Sequence, residues 1–352
     1  MKKIIIEASF IFATSLVFVN CNSETTTTPT TATPTTTVTL PVSIEPVSID
    51  GNAVSYFGPL KVLGNKIVGK DDKPVQLRGM SLFWSQWIGK YYTPSCVKWL
   101  KDDWSANIIR VAMAVEEGGY LTNPAAEKQK VIAVVDAAIA QGMYVIIDWH
   151  DHNATKHLKE SKAFFAEMAK KYGDKPNVIY EPFNEPLQIS WSSAIKPYHQ
   201  AVIDTIRFHD PDNLIICGTP TWSQDVDVAA NDPLKGSNIA YTLHFYSGSH
   251  KQFLRDKAKN ALNKGVALMV TEFGTTDATG DGIVNKEETN KWWAFLDENK
   301  ISTCNWSIAD KTESSAALRA GASVSGDWTI SQITESGLLV RAEMKAKNIK
   351  FK

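Results

Sequence analysis

An α/β fold closed into a (β/α)8 TIM barrel, as a single domain over residues 48–352, is what three features of this chain predict. Eight apolar runs of strand length recur along it, at 75–83, 107–113, 144–150, 178–185, 213–219, 239–246, 266–274 and 302–310. The runs are apolar throughout rather than alternating, as in a parallel sheet covered on both faces. Helix-length segments separate them, and eight strand–helix units over about 300 residues suit a closed barrel. An open, doubly wound sheet is the alternative. It would bring a glycine-rich turn after the first strand, and the sequence has none there.

The elements follow in order. Residues 1–20 open on Met1-Lys2-Lys3, continue through an apolar run from Ala8 to Val19, and read as a signal peptide. The run is too short to span a membrane. LVFVN ahead of Cys21 looks like a relaxed lipobox, so Cys21 is the expected lipidation site and the protein a secreted or cell-surface bacterial lipoprotein. Plain secretion and a retained single-helix anchor are the alternatives. Residues 21–47 are rich in Thr and Pro with no apolar period, and read as an extended linker. A hairpin-like lead-in follows, LKVLGNKIVGKDDKPVQLRG, with turn signals at Gly64-Asn65 and Asp71-Asp72. Between the second and third runs, the segment from Pro124 to Gly142 carries proline near its start and glycine past its end, as helices prefer.

Composition narrows the partners. The chain is 43% hydrophobic and 21% charged, with a formal net charge of −1 and no basic block, so neither nucleic acid nor an anionic surface is the expected partner. A monomer is expected. Eleven tryptophans offer large flat faces with one donor each, suited to sugar rings, although many belong in a core. Cys21, Cys96, Cys217 and Cys304 form no CxxC pair, which speaks against zinc. Cys217 and Cys304 lie in apolar runs and read as buried thiols. A disulfide among Cys96, Cys217 and Cys304 stays open.

The strand ends carry the chemistry. Arg110 lies on the second run, Asp148-Trp149-His150 close the third, and Asn184-Glu185 close the fourth before Pro186. His244 and Tyr246 lie on the sixth, Glu272 on the seventh and Trp306 on the eighth, with Lys311 and Glu313 just beyond. In a barrel these positions meet on the C-terminal rim. A carboxylate at the end of an apolar strand is costly unless a site uses it. Two carboxylates across one rim fit glycosidic cleavage, one protonating the leaving oxygen and the other stabilising the cation-like carbon. Glu185 is assigned as acid/base and Glu272 as nucleophile. No cofactor and no metal are expected.

The motifs IIRVAM, VIIDWH, YEPFNEP, YTLHFY, VTEFG and NWSIADK together make the chain, from about residue 77 to 313, resemble glycoside hydrolase family 5, in particular its bacterial endo-β-1,4-glucanases (cellulases). The resemblance implies a retaining (β/α)8 hydrolase of a β-glucan polysaccharide. It also implies roles. Arg110 would orient Glu272 and keep it ionised, and Asn184 would bond a sugar 2-hydroxyl. Tyr246 would lie beside Glu272 and His244 beside Glu185. His150 would line the sugar site, Trp306 would be a stacking platform and Trp87 a platform further along. Lys311 and Glu313 would bond substrate hydroxyls. Mannanase or xylanase activity on the same fold is the nearest alternative, and a non-catalytic glycan-binding protein is another. The chain departs from the family at Phe83, where many relatives carry a sugar-binding His, so Phe83 is given no role.

Three look-alikes are set aside. Glu181 lies four residues, about 13 Å, behind Glu185 in an extended chain, and reads as the buried partner of a positive side chain. His150-Asp151-His152 offers the HxH pair of a metal-dependent amidohydrolase, but the surrounding residues fit sugars better. The segment from Asp277 to Glu288 mimics a calcium loop, with Thr279 weak at its third place, and reads as a rim loop leading into the next helix.

Overall fold

The structure, a computed structural model, describes residues 48–351. The signal segment, Cys21 and the linker lie outside the described residues.

All eight expected strands form, and they close on themselves. They are β3 (Arg78–Leu82), β4 (Ile108–Ala114), β5 (Tyr144–His150), β6 (Val178–Glu181), β7 (Ile215–Cys217), β8 (Ile239–Tyr246), β9 (Leu268–Gly274) and β10 (Thr303–Ile308). Each pairs in parallel with its sequence neighbour, and β10 pairs with β3 to shut the barrel. Helices follow the strands around the outside: α2 (Pro94–Asp102), α3 (Pro124–Ala140), α4 (Leu158–Tyr172), α5 (Lys196–Arg207), the short α6 (Pro220–Ser223) and α7 (Val226–Asn231), α8 (Gln252–Asn263), α9 (Lys286–Asn299) and α10 (Glu335–Lys347). Local sequence sets their ends. Thr93 caps α2 by accepting from the Cys96 amide, and Pro94 follows it as the first helical residue. Past α3, Gly142 takes a φ of 63°, which only glycine adopts at no cost. Gly79 on β3 is required by packing, since a Cβ there would lie 1.8 Å from the Ile108 carbonyl oxygen.

The hairpin also forms, as β1 (Lys61–Leu63) and β2 (Lys66–Val68), joined through Gly64-Asn65. With α1 (Ala53–Phe57), it stoppers the N-terminal end of the barrel. Ala53, Leu60 and Ile67 pack against inward-facing Leu77, Ile108, Ile146, Ile179 and Ile216. A larger apolar layer lies between the strands and the helical ring. Cys96, Cys217 and Cys304 are buried free thiols, so no disulfide joins them.

Two boundaries differ from the sequence reading. β6 ends at Glu181 rather than Glu185, because Pro182 has no amide hydrogen to donate to the next rung. The chain beyond still docks on β5, through Asn184 N–H to the Trp149 carbonyl at 3.2 Å. β7 is only three residues long, against the seven expected at 213–219.

Candidate active site

The site is built on Arg110, fully buried in β4. Its Nε donates to Glu181 Oε2 at 2.7 Å, its Nη1 to Glu272 Oε2 at 2.9 Å and its Nη2 to Asn184 Oδ1 at 2.6 Å. Asp148 Oδ2 lies 3.0 Å from the same Nη2. Three carboxylates therefore share one cation. Glu181 is the buried partner of a positive charge that its position suggested. Arg110 lines neither lobe of the cleft. It lies beneath the carboxylates and donates to Glu181 and Glu272. A guanidinium only donates, so Asn184 must turn its oxygen to Arg110, which leaves its Nδ2 hydrogens for an incoming hydroxyl.

Glu185 and Glu272 face each other above this layer. One oxygen of each, with a ring nitrogen of His244, lie within 4.8 Å of one another. Glu185 Oε1 is 2.9 Å from His244 Nδ1, and its Oε2 is 3.2 Å from His152 Nε2. Glu272 Oε1 accepts from the Tyr246 hydroxyl at 2.8 Å. Burial pushes both carboxyls up. At Glu185, hydrogen bonds from His152 and His244 outweigh burial and hold it at about 2. At Glu272, burial and the charge of Glu185 outweigh His244, Arg110 and Tyr246, and the carboxyl stays raised.

His244 is raised to about 9, the pull of Glu181 and Glu185 overcoming its burial. The donors to the two carboxyls differ in kind. Arg110 and Tyr246 keep their hydrogens at neutral pH, so the donors to Glu272 are fixed. The donors to Glu185 are histidines, which can release a proton; a ring nitrogen that has lost its hydrogen accepts, and no longer holds Glu185 down. The groups titrate as a unit.

The pair sits at the junction of two lobes. One, of about 210 Å3, runs past His150, Asn184, Trp306, Phe83, Trp84 and Trp87 to Lys311 and Glu313. Trp306 stacks on His150 with ring centres 5.1 Å apart and planes at 7°. His150 Nδ1 is held by Asp148 at 2.7 Å, and burial keeps the ring below its ordinary pKa and neutral. Trp87 is 58% exposed, an open aromatic face on the lobe wall. Lys311 pairs with Glu313 and lies 5.1 Å above the Phe83 ring. The other lobe, of about 390 Å3, is lined by Trp222, Gln224, His244 and His250.

All eleven rim residues singled out from the sequence thus fall in or beneath one cleft. Sequence reasoning missed several others. His152 was noticed only within the HxH pair, whose two rings in fact serve different carboxylates. Trp84 stands beside Trp87 with centres 5.3 Å apart. Trp222 reaches the second lobe from α6, where it and Thr221 take left-handed φ values of 54° and 59° that no periodicity announces. The calcium-like segment is a rim loop running into α9. The carboxylate at its twelfth place, Glu288, is bound by Arg255 at 2.6 Å, and Ala278 lines both lobes.

Residues 68–312 match the family model described as cellulase (glycosyl hydrolase family 5). The chain belongs to glycosyl hydrolase family 5. Among curated relatives, it is 52% identical to endoglucanase Z of Dickeya dadantii (strain 3937) over 298 residues, covering 84% of this chain and 68% of that one. It is 48% identical to an endoglucanase of Clostridium saccharobutylicum, covering 84% of this chain and 66% of that one. It therefore spans about two thirds of the length of either. A solved structure from Cytophaga hutchinsonii superposes with a TM-score of 0.84 at 55% identity, covering 85% of this chain and 98% of that one. The catalytic domain of a Thermobifida fusca endoglucanase, solved with cellotetraose, gives 0.81 at 36%, covering 84% and 100%. Every rim residue named from the sequence lies within the family 5 match except Glu313, which is one residue past it.

Proposed function

We propose that this family 5 hydrolase is an endo-β-1,4-glucanase that cleaves internal bonds of cellulose or related β-glucans with retention of configuration. One observation carries the reading: Glu185 and Glu272 approach within 4.8 Å at the junction of two open lobes. So close an approach fits the roughly 5–5.5 Å of retaining pairs better than the about 6.5–9.5 Å of inverting pairs. A lobe on each side gives a polymer a path through the site. The names of the relatives, endoglucanases from several bacteria, point the same way.

In the first step Glu272 attacks the anomeric carbon as Glu185 gives its proton to the departing oxygen, so the glycosidic bond breaks and a glycosyl ester forms. In the second, Glu185 takes a proton from water, whose oxygen displaces Glu272. Asn184 donates to the 2-hydroxyl, Trp306 and Trp87 carry sugar faces, and His150, Lys311 and Glu313 meet hydroxyls. Trp222 receives the leaving-group side. The catalytic domain works as a monomer behind a Thr/Pro linker, tethered through acylated Cys21 at the cell surface. Mass spectrometry of the native N-terminus tests that tether, and an unmodified Cys21 would remove it.

Comparative hydrolysis tests the substrate. Reducing ends are expected to appear fastest from carboxymethylcellulose or mixed-linkage glucan. Faster cleavage of mannan or xylan, or binding without cleavage, would overturn the reading. Proton NMR of fresh product should show the β-anomer first.

A further inference from the structure

Beneath Glu185, proton positions follow from donors and acceptors alone. Thr271 of β9 is fully buried. Its Oγ1 has three partners: Glu181 Oε1 at 2.5 Å, His244 Nε2 at 2.8 Å and the hydroxyl of Thr242 on β8. A hydroxyl has one hydrogen and two lone pairs. Glu181 is ion-paired with Arg110 Nε at 2.7 Å. Burial alone would push its carboxyl up, but Arg110 and His244 hold it below the ordinary range, so it accepts only. The single Thr271 hydrogen therefore points to Glu181. Both lone pairs of Thr271 must then accept, one from Thr242 and one from His244, and His244 Nε2 must carry a hydrogen. Its Nδ1, 2.9 Å from Glu185 Oε1, is left as the only ring atom that can gain or lose one.

We infer that Thr271 is a positioning residue: with Glu181 it locks His244 as the Nε2–H tautomer, so that one exchangeable proton lies between His244 Nδ1 and Glu185 Oε1. This rests on Glu185 being the acid/base. The lock matters because a neutral imidazole has two tautomers with opposite effects on Glu185. Free to choose, His244 would place hydrogen on Nδ1, donate to the Glu185 carboxylate and favour its deprotonated form. Locked, it offers Glu185 a lone pair and favours the protonated acid. The proton leaves this pair for the glycosidic oxygen in the first step and returns to it from water in the second.

The charged groups facing His244 are consistent with this arrangement. Glu181 of β6 lies 3.7 Å from Nε2, Glu185 follows β6, and Glu272 stands on β9. Arg110 of β4 is bound to two of these carboxylates and His152 to the third. His150 of β5 stays neutral beside them.

The test uses Thr271→Val, which removes the hydroxyl at nearly constant volume, and Thr271→Ser, which restores it. Ring-nitrogen NMR of histidine-labelled protein, with the His244 signals assigned by their loss in His244→Gln, should show Nε2–H in the unaltered enzyme on the alkaline side. Thr271→Val should move the hydrogen to Nδ1. It should also bring the alkaline limb of kcat/KM on cello-oligosaccharides down by about one pH unit, the worth of one net hydrogen bond. Thr271→Ser should reverse both changes. An Nδ1–H ring in the unaltered enzyme would overturn the inference whether or not Thr271→Val folds. So would an unshifted alkaline limb in folded Thr271→Val. Failure of the glucanase reading shows separately, as no glucan cleavage by the unaltered protein.

Discussion

At the scale of single residues, the two carboxyls are distinguished by their donors, not by burial. Glu272 is held by Arg110 and Tyr246, and Glu185 by two histidines. Glu272→Gln should abolish turnover on every substrate, since an amide forms no glycosyl ester. Glu185→Gln should cost about 10²–10⁴-fold on cello-oligosaccharides, the usual worth of general acid catalysis, and far less in the glycosylation step of aryl glycosides whose leaving group needs no proton. Steady-state and burst kinetics on both substrate types check this. Equal losses would argue against Glu185 as the acid. The carboxyls were legible as strand-end charges. The histidine beside Glu185 was half legible: His244 lies on a strand, whereas His152 is brought back by a loop.

At the scale of elements, the β3–α2 loop shows how a remote helix shapes the cleft. Glu127 of α3 is 2% exposed, and its carboxylate takes the Ser85 hydroxyl and Lys130 Nζ. Lys130 also donates to the Ser85 carbonyl at 2.8 Å, and Ser85 Oγ accepts from the Ala114 amide at 2.8 Å. This clamp fixes the turn between Trp84 and Trp87, in which the Ile88 amide donates to the Trp84 carbonyl at 3.0 Å. Glu127→Ala should raise KM about tenfold for oligosaccharides long enough to reach Trp87, a loss of about 1.4 kcal/mol, with kcat on short aryl glycosides little changed. In that background Trp87→Ala should add little, because the two changes remove one interaction. Additive losses in a double-mutant cycle would argue against the clamp. A glutamate in the first turn of α3 reads from the sequence as an ordinary helix residue; only packing makes it a partner of Ser85.

At the scale of the whole molecule, stability and chemistry occupy opposite ends of the barrel. The hairpin and α1 cover the apolar N-terminal mouth, while the cleft occupies the C-terminal rim. Ile67→Ala should therefore lower unfolding free energy by about 2–5 kcal/mol, the range for a buried Ile truncated to Ala, with kcat unchanged. Urea unfolding and initial rates, measured on the same preparation, check this. A fall in kcat at full folding would show that the stopper is coupled to the rim.

The sequence by itself determined the barrel, the order of its strands and the carboxylate pair. Continuous apolar runs, helix caps and strand-end charges are local signals, and eight of them in register leave few ways to close a sheet. Only the tertiary structure decided that β6 stops at Glu181, that Arg110 lies beneath the cleft, and that Trp222 and His152 join it. It also brought His244 Nδ1 to Glu185 and Nε2 to Thr271. These are relations between side chains far apart in the chain. Each is set by how many donors and acceptors meet at one buried atom, and no local pattern records that count.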